Sequence, residues 1–218
     1  MKSELIKRVI SSIILIPIAL FFIIKGSFYF KFFLIFILFI AAYEWHVLSK
    51  KKIYKIPGFI FLIASIYLTI LLRGSTNSEL YIFLVTVLVC VATDIGGYIF
   101  GNLFKGPKIN KRISPNKTYA GSFGGYLLSL ISVYFFVQYS LLISDDLLNN
   151  YVKDKLLWIL LISTVSQIGD FTISLFKRKS KIKNTGSIIP GHGGLLDRID
   201  GMIFALPFTY IYLNFVTH

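Results

Sequence analysis

The chain has 218 residues, of which 56% are hydrophobic and only 15% charged, and its mean hydropathy is +0.74. This composition excludes an ordinary soluble domain. A formal net charge of +13 would suggest a nucleic-acid partner for a soluble protein, but here the basic residues follow a membrane topology, so we expect no nucleic-acid partner.

Seven apolar segments are long enough to cross a bilayer, because about 20 helical residues span roughly 30 Å of hydrocarbon. The first has no small-x-small cleavage site after it, so we expect it to be retained. The sequence therefore predicts an all-α polytopic integral membrane protein with about seven transmembrane helices. The segments cover residues 9–24, 30–48, 56–72, 80–101, 120–143, 156–176 and 199–216.

Basic residues alternate between the loops as the positive-inside rule predicts. Most of the 23 lysines and arginines lie before the first span or in the loops that follow the second, fourth and sixth spans. We therefore expect these loops to face the cytosol and the chain to lie in a membrane such as the bacterial inner membrane. A polar site near these loops would face the cytosol.

Four aspartates lie inside or at the ends of the predicted spans. Asp94 is in the fourth span, Asp170 is in the sixth, and Asp197 and Asp200 open the seventh. At 1.5 Å per helical residue, Asp170 lies roughly 10 Å inside the cytosolic end of its span. Charge is costly in a bilayer, so these carboxylates are expected to be functional and to meet at one depth.

The sixth span has a polar stripe whose spacings of 4, 3, 4 and 3 place it on one helix face. Such a stripe must face protein or a water-filled cavity, because lipid offers polar groups no partners. Two glycine pairs, Gly97 with Gly101 and Gly121 with Gly125, are more typical of close contacts between helices than of substrate sites. The stripe consists of Ser163, Gln167, Asp170, Ser174 and Lys177.

Clustered carboxylates without cysteine or a second histidine favour a hard cation such as Mg²⁺, and a second cation is left open. Because Mg²⁺ is usually shared with substrate phosphates, a phosphate-bearing substrate is expected. Gly191, Gly193 and Gly194 can turn N–H groups toward an anion near the start of the seventh helix. The residues expected to neutralise the phosphates are Lys177, Arg178, Lys183 and Arg198.

Two further elements are expected in the site. The loop over residues 113–125 repeats the combination of hydroxyl, cation and glycine before a helix, through Ser114, Lys117 and Thr118. His192 has three interpretations: a hydrogen-bond donor to phosphate, a brace of its loop, or a general base. An anionic phosphate nucleophile would need no base.

Ser174–Asp200 contains Ser-x-x-Lys-Arg followed by Pro-x-His-Gly-Gly-x-x-Asp-Arg-x-Asp, and this segment resembles the C-terminal motif of phosphatidate cytidylyltransferases. One position differs, since the family's Lys-Asp pair is Lys183-Asn184 here; an amide can bind a cation but adds no charge. Four other blocks resemble the family, so the resemblance covers nearly the whole chain. They are Ile113–Thr118, Asp94–Gly101 and, more weakly, Tyr43–Trp45 and Leu5–Val9.

The resemblance implies transfer of CMP from CTP to phosphatidic acid, within membrane lipid and with release of pyrophosphate. We expect one membrane domain over residues 1–218, with N-terminal helices in 1–78 and a catalytic core in 79–218; a homodimer is one option. The expected metal ligands are Asp94, Asp170, Asp197 and Asp200. The expected catalytic residues are Asp170, Asp197, Asp200, Lys177, Arg178 and His192. The expected substrate contacts are Ser114, Lys117, Thr118, Ser174, Lys183, Gly193, Gly194 and Arg198.

Two alternatives stay open on the sequence. A CTP-dependent kinase of a lipid alcohol could use a similar membrane site but would release CDP. A cation transporter would need polar residues through to the far side of the membrane. Residues 81–88 and 156–162, at the outer ends of the fourth and sixth spans, are largely apolar, which favours an enzyme.

Overall fold

The computed structural model describes residues 2–50, 52–139, 155–189, 191 and 193–216, without the side chains of residues 2–9, 139 and 216. Eight helices and one two-stranded sheet make up this part of the chain. The helices are α1 Lys2–Lys25, α2 Ser27–Leu48, α3 Lys55–Arg73, α4 Asn77–Phe104, α5 Tyr119–Tyr139, α6 Lys155–Lys179, α7 Leu196–Ile199 and α8 Met202–Val216. The strands are β1 Lys108–Asn110 and β2 Ser114–Thr118.

The predicted all-α polytopic membrane fold is confirmed. Within the described residues, five helices, α2 to α6, are long and apolar enough to cross a membrane. Two shorter apolar helices, Ile10–Lys25 within α1 and Met202–Phe215 within α8, correspond to the first and last predicted spans. Residues 140–143 of the predicted fifth span lie outside the described residues.

The last predicted span, 199–216, is interrupted near its start. Helix α7 ends at Ile199 and α8 begins at Met202, with a turn at Asp200 and Gly201. The turn lies tightly against α6, because a Cβ on Gly201 would overlap the Ser166 hydroxyl. Asp200 therefore lies in a turn between two helices, where its side chain is held beside α6.

Helices α4 and α5 pack through glycines. A Cβ on Gly96 would overlap the carbonyl oxygen of Gly124, and one on Gly121 would lie 2.7 Å from the carbonyl oxygen of Gly97. The predicted contact between helices is therefore present at Gly97 and Gly121, which also line a cavity. The close approach brings Asp94 on α4 next to the strand that leads into α5.

The sheet is an antiparallel hairpin that the sequence analysis did not predict. Lys108 pairs with Thr118, and Asn110 pairs with Ser114. The Asn110 side chain closes the turn by accepting hydrogen bonds from the Arg112 and Ile113 N–H groups, at 3.0 and 3.3 Å. Strand β2 runs directly into α5.

The C-terminal end of α2 is fixed to α3 and α6. The Trp45 indole packs edge-on against Phe176 of α6, with 5.2 Å between ring centroids, and donates a hydrogen bond to the Lys55 carbonyl at 3.0 Å. The Ser180 hydroxyl donates to the Leu48 carbonyl at 2.6 Å. These contacts set the position of α2 relative to the polar end of α6.

Candidate functional site

A cavity of about 870 Å³ lies between α4, α5, α6, the hairpin and the segment around α7. It brings together the four aspartates that the sequence analysis placed at one depth, from three different parts of the chain. Its charged lining residues are Asp94, Lys108, Lys117, Asp170, Lys177, Asp197, Arg198 and Asp200.

Three of the carboxylates form one group. Asp94, Asp170 and Asp200 all line the cavity, and their negative charges lie near enough to repel one another. Asp94 is exposed to the cavity, and Asp200 is buried. One of the cations beside this group is Lys117, whose Nζ lies 2.5 Å from Asp170 Oδ2. The group thus attracts positive charge into the cavity.

Asp197 is held by donors from the protein itself. Its Oδ1 pairs with Lys177 Nζ at 2.7 Å, and its Oδ2 accepts from the N–H groups of Thr185 and Gly194, at 2.8 and 3.3 Å. The Asp197 side chain is only 9% exposed. Its position fixes Lys177 at the cavity wall, while a role as a metal ligand stays a prediction.

The N–H groups of the glycine segment have protein acceptors. Gly193 N–H donates to the Ile189 carbonyl at 3.2 Å, and Gly194 N–H donates to Asp197. At the start of α7, the N–H groups of Leu195 and Leu196 donate to the Glu44 carboxylate, each at 2.8 Å. These N–H groups therefore face acceptors of the protein itself, including the Asp197 and Glu44 carboxylates. Substrate binding by Gly193 and Gly194 stays a prediction.

Glu44 is the main residue that the sequence analysis missed. It lies in α2, is 1% exposed, and also accepts a hydrogen bond from the Thr185 hydroxyl at 2.8 Å. The signal was present, because a carboxylate inside an apolar span is costly and is a functional candidate by default. Only its place in the Tyr43–Trp45 block was noted.

The polar stripe of α6 faces protein, as predicted. Gln167, Asp170 and Lys177 line the cavity, and Ser163 lies fully buried below it with its hydroxyl 2.8 Å from that of Thr93. Below this pair most buried residues are apolar, although the Thr86 and Thr209 hydroxyls are also buried there, 3.4 Å apart. The apolar residues include Val85, Val89, Ile159 and Ile162.

Of the other predicted residues, two line the cavity and one lies outside it. Thr118 and Arg198 line the cavity, and the Thr118 hydroxyl also accepts from the Gly121 N–H at 3.0 Å. Arg178 is exposed and donates from Nε to the Ile113 carbonyl at 3.1 Å, so it supports the hairpin from outside.

Three other predicted residues, Ser114, Ser174 and Lys183, do not line the cavity. The Ser174 hydroxyl donates to Asp170 Oδ1 at 3.4 Å. Ser114 begins β2, and Lys183 is exposed next to Asn184, which itself lines the cavity. The roles of these residues stay predictions. His192 lies outside the described residues.

An apolar groove of about 410 Å³ adjoins the cavity. Tyr126 and Thr164 line both spaces, and their hydroxyl oxygens are 3.0 Å apart. Charged and apolar environments therefore meet at this hydroxyl pair. The other residues of the groove are Phe123, Leu127, Leu130 and Leu160.

Comparison with known proteins decides the family. The sequence profile of the cytidylyltransferase family matches residues 6–77 and 58–216, which together cover most of the chain. The chain belongs to the cytidylyltransferase family. The resemblance identified from the sequence motifs is thereby confirmed.

Curated relatives of this chain are named phosphatidate cytidylyltransferase. The protein of Haemophilus influenzae is 36% identical over 141 residues, covering 63% of this chain and 47% of the relative. That of Staphylococcus saprophyticus is 39% identical over 175 residues, covering 77% and 63%. That of Staphylococcus haemolyticus is 40% identical over 148 residues, covering 64% and 52%. The chain thus spans between about half and just under two thirds of the length of these relatives.

The donors in the cavity fit a hard divalent cation. Asp94, Asp170 and Asp200 supply only carboxylate oxygens, the ligands that Mg²⁺ prefers. Within the described residues, no three Asp, Glu, His or Cys side chains are close enough to form a complete metal site. Since Mg²⁺ keeps several waters and is commonly shared with substrate phosphates, an incomplete protein ligand set is compatible with it.

Proposed function

We propose that this chain transfers CMP from CTP to phosphatidate, forming CDP-diacylglycerol and releasing pyrophosphate. One observation carries the proposal: two spaces adjoin each other. The first is a cavity whose carboxylates and cations suit phosphate chemistry, and the second is an apolar groove that suits a lipid. The names of the curated relatives support the same reaction.

The two spaces suit the two ends of phosphatidate. The acyl chains would occupy the groove along Leu127 and Leu130, and the glycerol region would lie near Tyr126 and Thr164. The phosphate would then extend into the charged cavity. CTP would enter from the end lined by the hairpin and Arg198, which is also the end where the basic loops lie. By the positive-inside rule we propose that this end faces the cytosol.

The reaction is a direct displacement. An oxygen of the lipid phosphate forms a bond to the α-phosphorus of CTP, while the bond from that phosphorus to the α,β-bridging oxygen breaks. Pyrophosphate leaves with the electron pair of the broken bond. Because the nucleophile is already an anion, no general base is required.

The protein contributes positioning and charge. Lys117, Lys177 and Arg198 line the cavity and would neutralise the reacting phosphates and the departing pyrophosphate. Asp94, Asp170 and Asp200 would hold Mg²⁺, which supplies further neutralisation of the phosphate oxygens when bound. Asp197 fixes Lys177 through their 2.7 Å ion pair.

The other two functions fit less well. A transporter needs a polar path across the membrane, but the cavity ends above the apolar residues Val85, Val89 and Ile162. A lipid-alcohol kinase can be distinguished from a cytidylyltransferase by its products, because the kinase would release CDP and the cytidylyltransferase releases pyrophosphate.

The test uses the full chain in mixed micelles with labelled CTP, phosphatidate and Mg²⁺. We expect a chloroform-soluble cytidine product and equimolar pyrophosphate, both lost with excess EDTA. Asp197→Asn removes the charge that holds Lys177, so turnover should fall about a hundredfold or more while the protein stays folded in detergent. Release of CDP, or near-normal turnover of Asp197→Asn, would refute the proposal or the role of Asp197, respectively.

A further inference from the structure

We propose that Glu44 is a positioning residue of this site: from outside the cavity, it fixes the segment that places Asp197 and Arg198. The inference rests on the proposed function for its effect on turnover. Its structural part, that Glu44 anchors Thr185 and residues 194–196, stands on the contacts alone.

The first step is the burial of the Glu44 carboxylate. A charged group with 1% exposure is costly unless its oxygens are hydrogen-bonded. Oε1 accepts from the Leu195 N–H, and Oε2 accepts from the Leu196 N–H and the Thr185 hydroxyl, all at 2.8 Å. Every one of these donors belongs to the segment that forms one wall of the cavity.

The second step is the link from Glu44 to Asp197. Thr185 contacts both carboxylates, donating its hydroxyl to Glu44 and its N–H to Asp197. Gly194 lies between them, donating its N–H to Asp197 and passing so close to Glu44 that a Cβ would lie 2.6 Å from Oε2. The two carboxylates therefore hold residues 185–186 against residues 194–196.

The third step is the support of Glu44 itself. Trp45, the next residue, packs against Phe176, one residue before Lys177 on α6. Gly58 of α3 also lies against the indole, with no room for a Cβ. Glu44 is thus held in a fixed position relative to α6, the helix that supplies Asp170 and Lys177. Because Glu44 also binds the segment that supplies Asp197, it fixes that segment relative to α6.

The decisive variant is Glu44→Gln, which keeps size and shape. A glutamine has one acceptor oxygen, so its amide nitrogen would face either the Leu195 N–H or the two donors at Oε2. We expect turnover at saturating substrates to fall at least tenfold, because small displacements of reacting groups are costly, with KM for phosphatidate changed less than twofold. Amide hydrogen exchange in residues 185–198 should become faster, with α4 and α5 unchanged.

Glu79→Gln is the matched control. Glu79 also accepts backbone hydrogen bonds, from Ser75 and Thr76 at 2.8 Å each, but it does so at the other end of α4 from the cavity. We expect it to leave turnover within twofold of the unsubstituted chain. A second variant, Thr185→Val, tests the link between Glu44 and Asp197. If both residues act through this link, Thr185→Val should lower turnover much less in the Glu44→Gln background than in the unsubstituted chain.

The outcomes separate this inference from the proposed function. If Glu44→Gln lowers the unfolding temperature but turnover per folded molecule stays within twofold, positioning is wrong and Glu44 is only structural. If the unsubstituted chain makes no CDP-diacylglycerol, the proposed function fails, yet hydrogen exchange still tests the anchoring. Unchanged amide hydrogen exchange in residues 185–198 of Glu44→Gln would overturn the anchoring role of Glu44.

Discussion

Lys117 of the hairpin and Asp170 of α6 form an ion pair inside the cavity, with 2.5 Å between Nζ and Oδ2. Both side chains are about one quarter exposed, at 26% and 27%. The pair neutralises a carboxylate that also faces Asp94 and Asp200. Lys117 and a bound cation would therefore compete for Asp170, and binding of the cation would free Lys117 for a phosphate.

Lys117→Met tests this competition. Without the lysine, the cation no longer competes for Asp170, so we expect the Mg²⁺ concentration at half-maximal rate to fall about fivefold, which corresponds to about 1 kcal/mol for a partly exposed pair. The maximal rate should fall at least tenfold, because a cation that stabilises the reacting phosphates is lost. Initial rates over a Mg²⁺ titration measure both quantities.

Lys179→Met is the control for Lys117→Met, since Lys179 is an exposed lysine at the end of α6. It should change neither quantity by more than twofold. An unchanged or increased Mg²⁺ requirement in Lys117→Met would show that the lysine and the cation do not compete.

The apolar groove gives a second prediction. Leu127→Trp adds bulk inside the groove, so we expect KM for phosphatidate to rise at least fivefold while KM for CTP stays within twofold. Ile131→Trp is the control, because Ile131 is one turn further along α5, has a similar exposure of 41% against 38%, and does not line the groove. Steady-state kinetics in mixed micelles with varied surface concentration of phosphatidate provide the comparison. Equal effects of the two variants would argue against acyl chains in this groove.

The transmembrane fold could be predicted because its signals are local. Apolar runs of span length give the helices, and the spacing of Gln167, Asp170 and Lys177 gives the face that meets the cavity. The depth estimate for Asp170 needs only the rise per residue. These features depend on the composition and period of one segment at a time.

The rest depends on contacts between distant segments. The hairpin forms within a basic loop that lacks the alternation of apolar residues typical of strands, so no period indicated it. Glu44 contacts Leu195 and Leu196, about 150 positions away along the chain. The glycines predict N–H groups that are free to bind an anion, but the Gly194 N–H donates to Asp197. The next two N–H groups, of Leu195 and Leu196, donate to Glu44. Partners at such separations are not visible in a single sequence.

Neighbouring glycines of α4 give a third prediction, for stability. A Cβ on Gly96 would overlap the Gly124 carbonyl and lie 3.0 Å from Gly125 Cα, whereas one on Gly97 would lie 3.7 Å from the Gly121 carbonyl, an ordinary contact. Alanine favours a helix over glycine by about 1 kcal/mol at either position. At Gly96 the backbone clash should outweigh this, since overpacking costs about 1–3 kcal/mol and α5 must shift as a whole.

Thermal unfolding in detergent compares Gly96→Ala with Gly97→Ala. We expect a lower unfolding temperature for Gly96→Ala and an equal or higher one for Gly97→Ala, because only the first substitution separates the two helices. Both substitutions add one methyl group to the same helix, so the comparison isolates the difference in packing at the two positions. Equal unfolding temperatures would show that α4 and α5 do not pack through Gly96 and Gly124, and the approach of Asp94 to the hairpin would then need another cause.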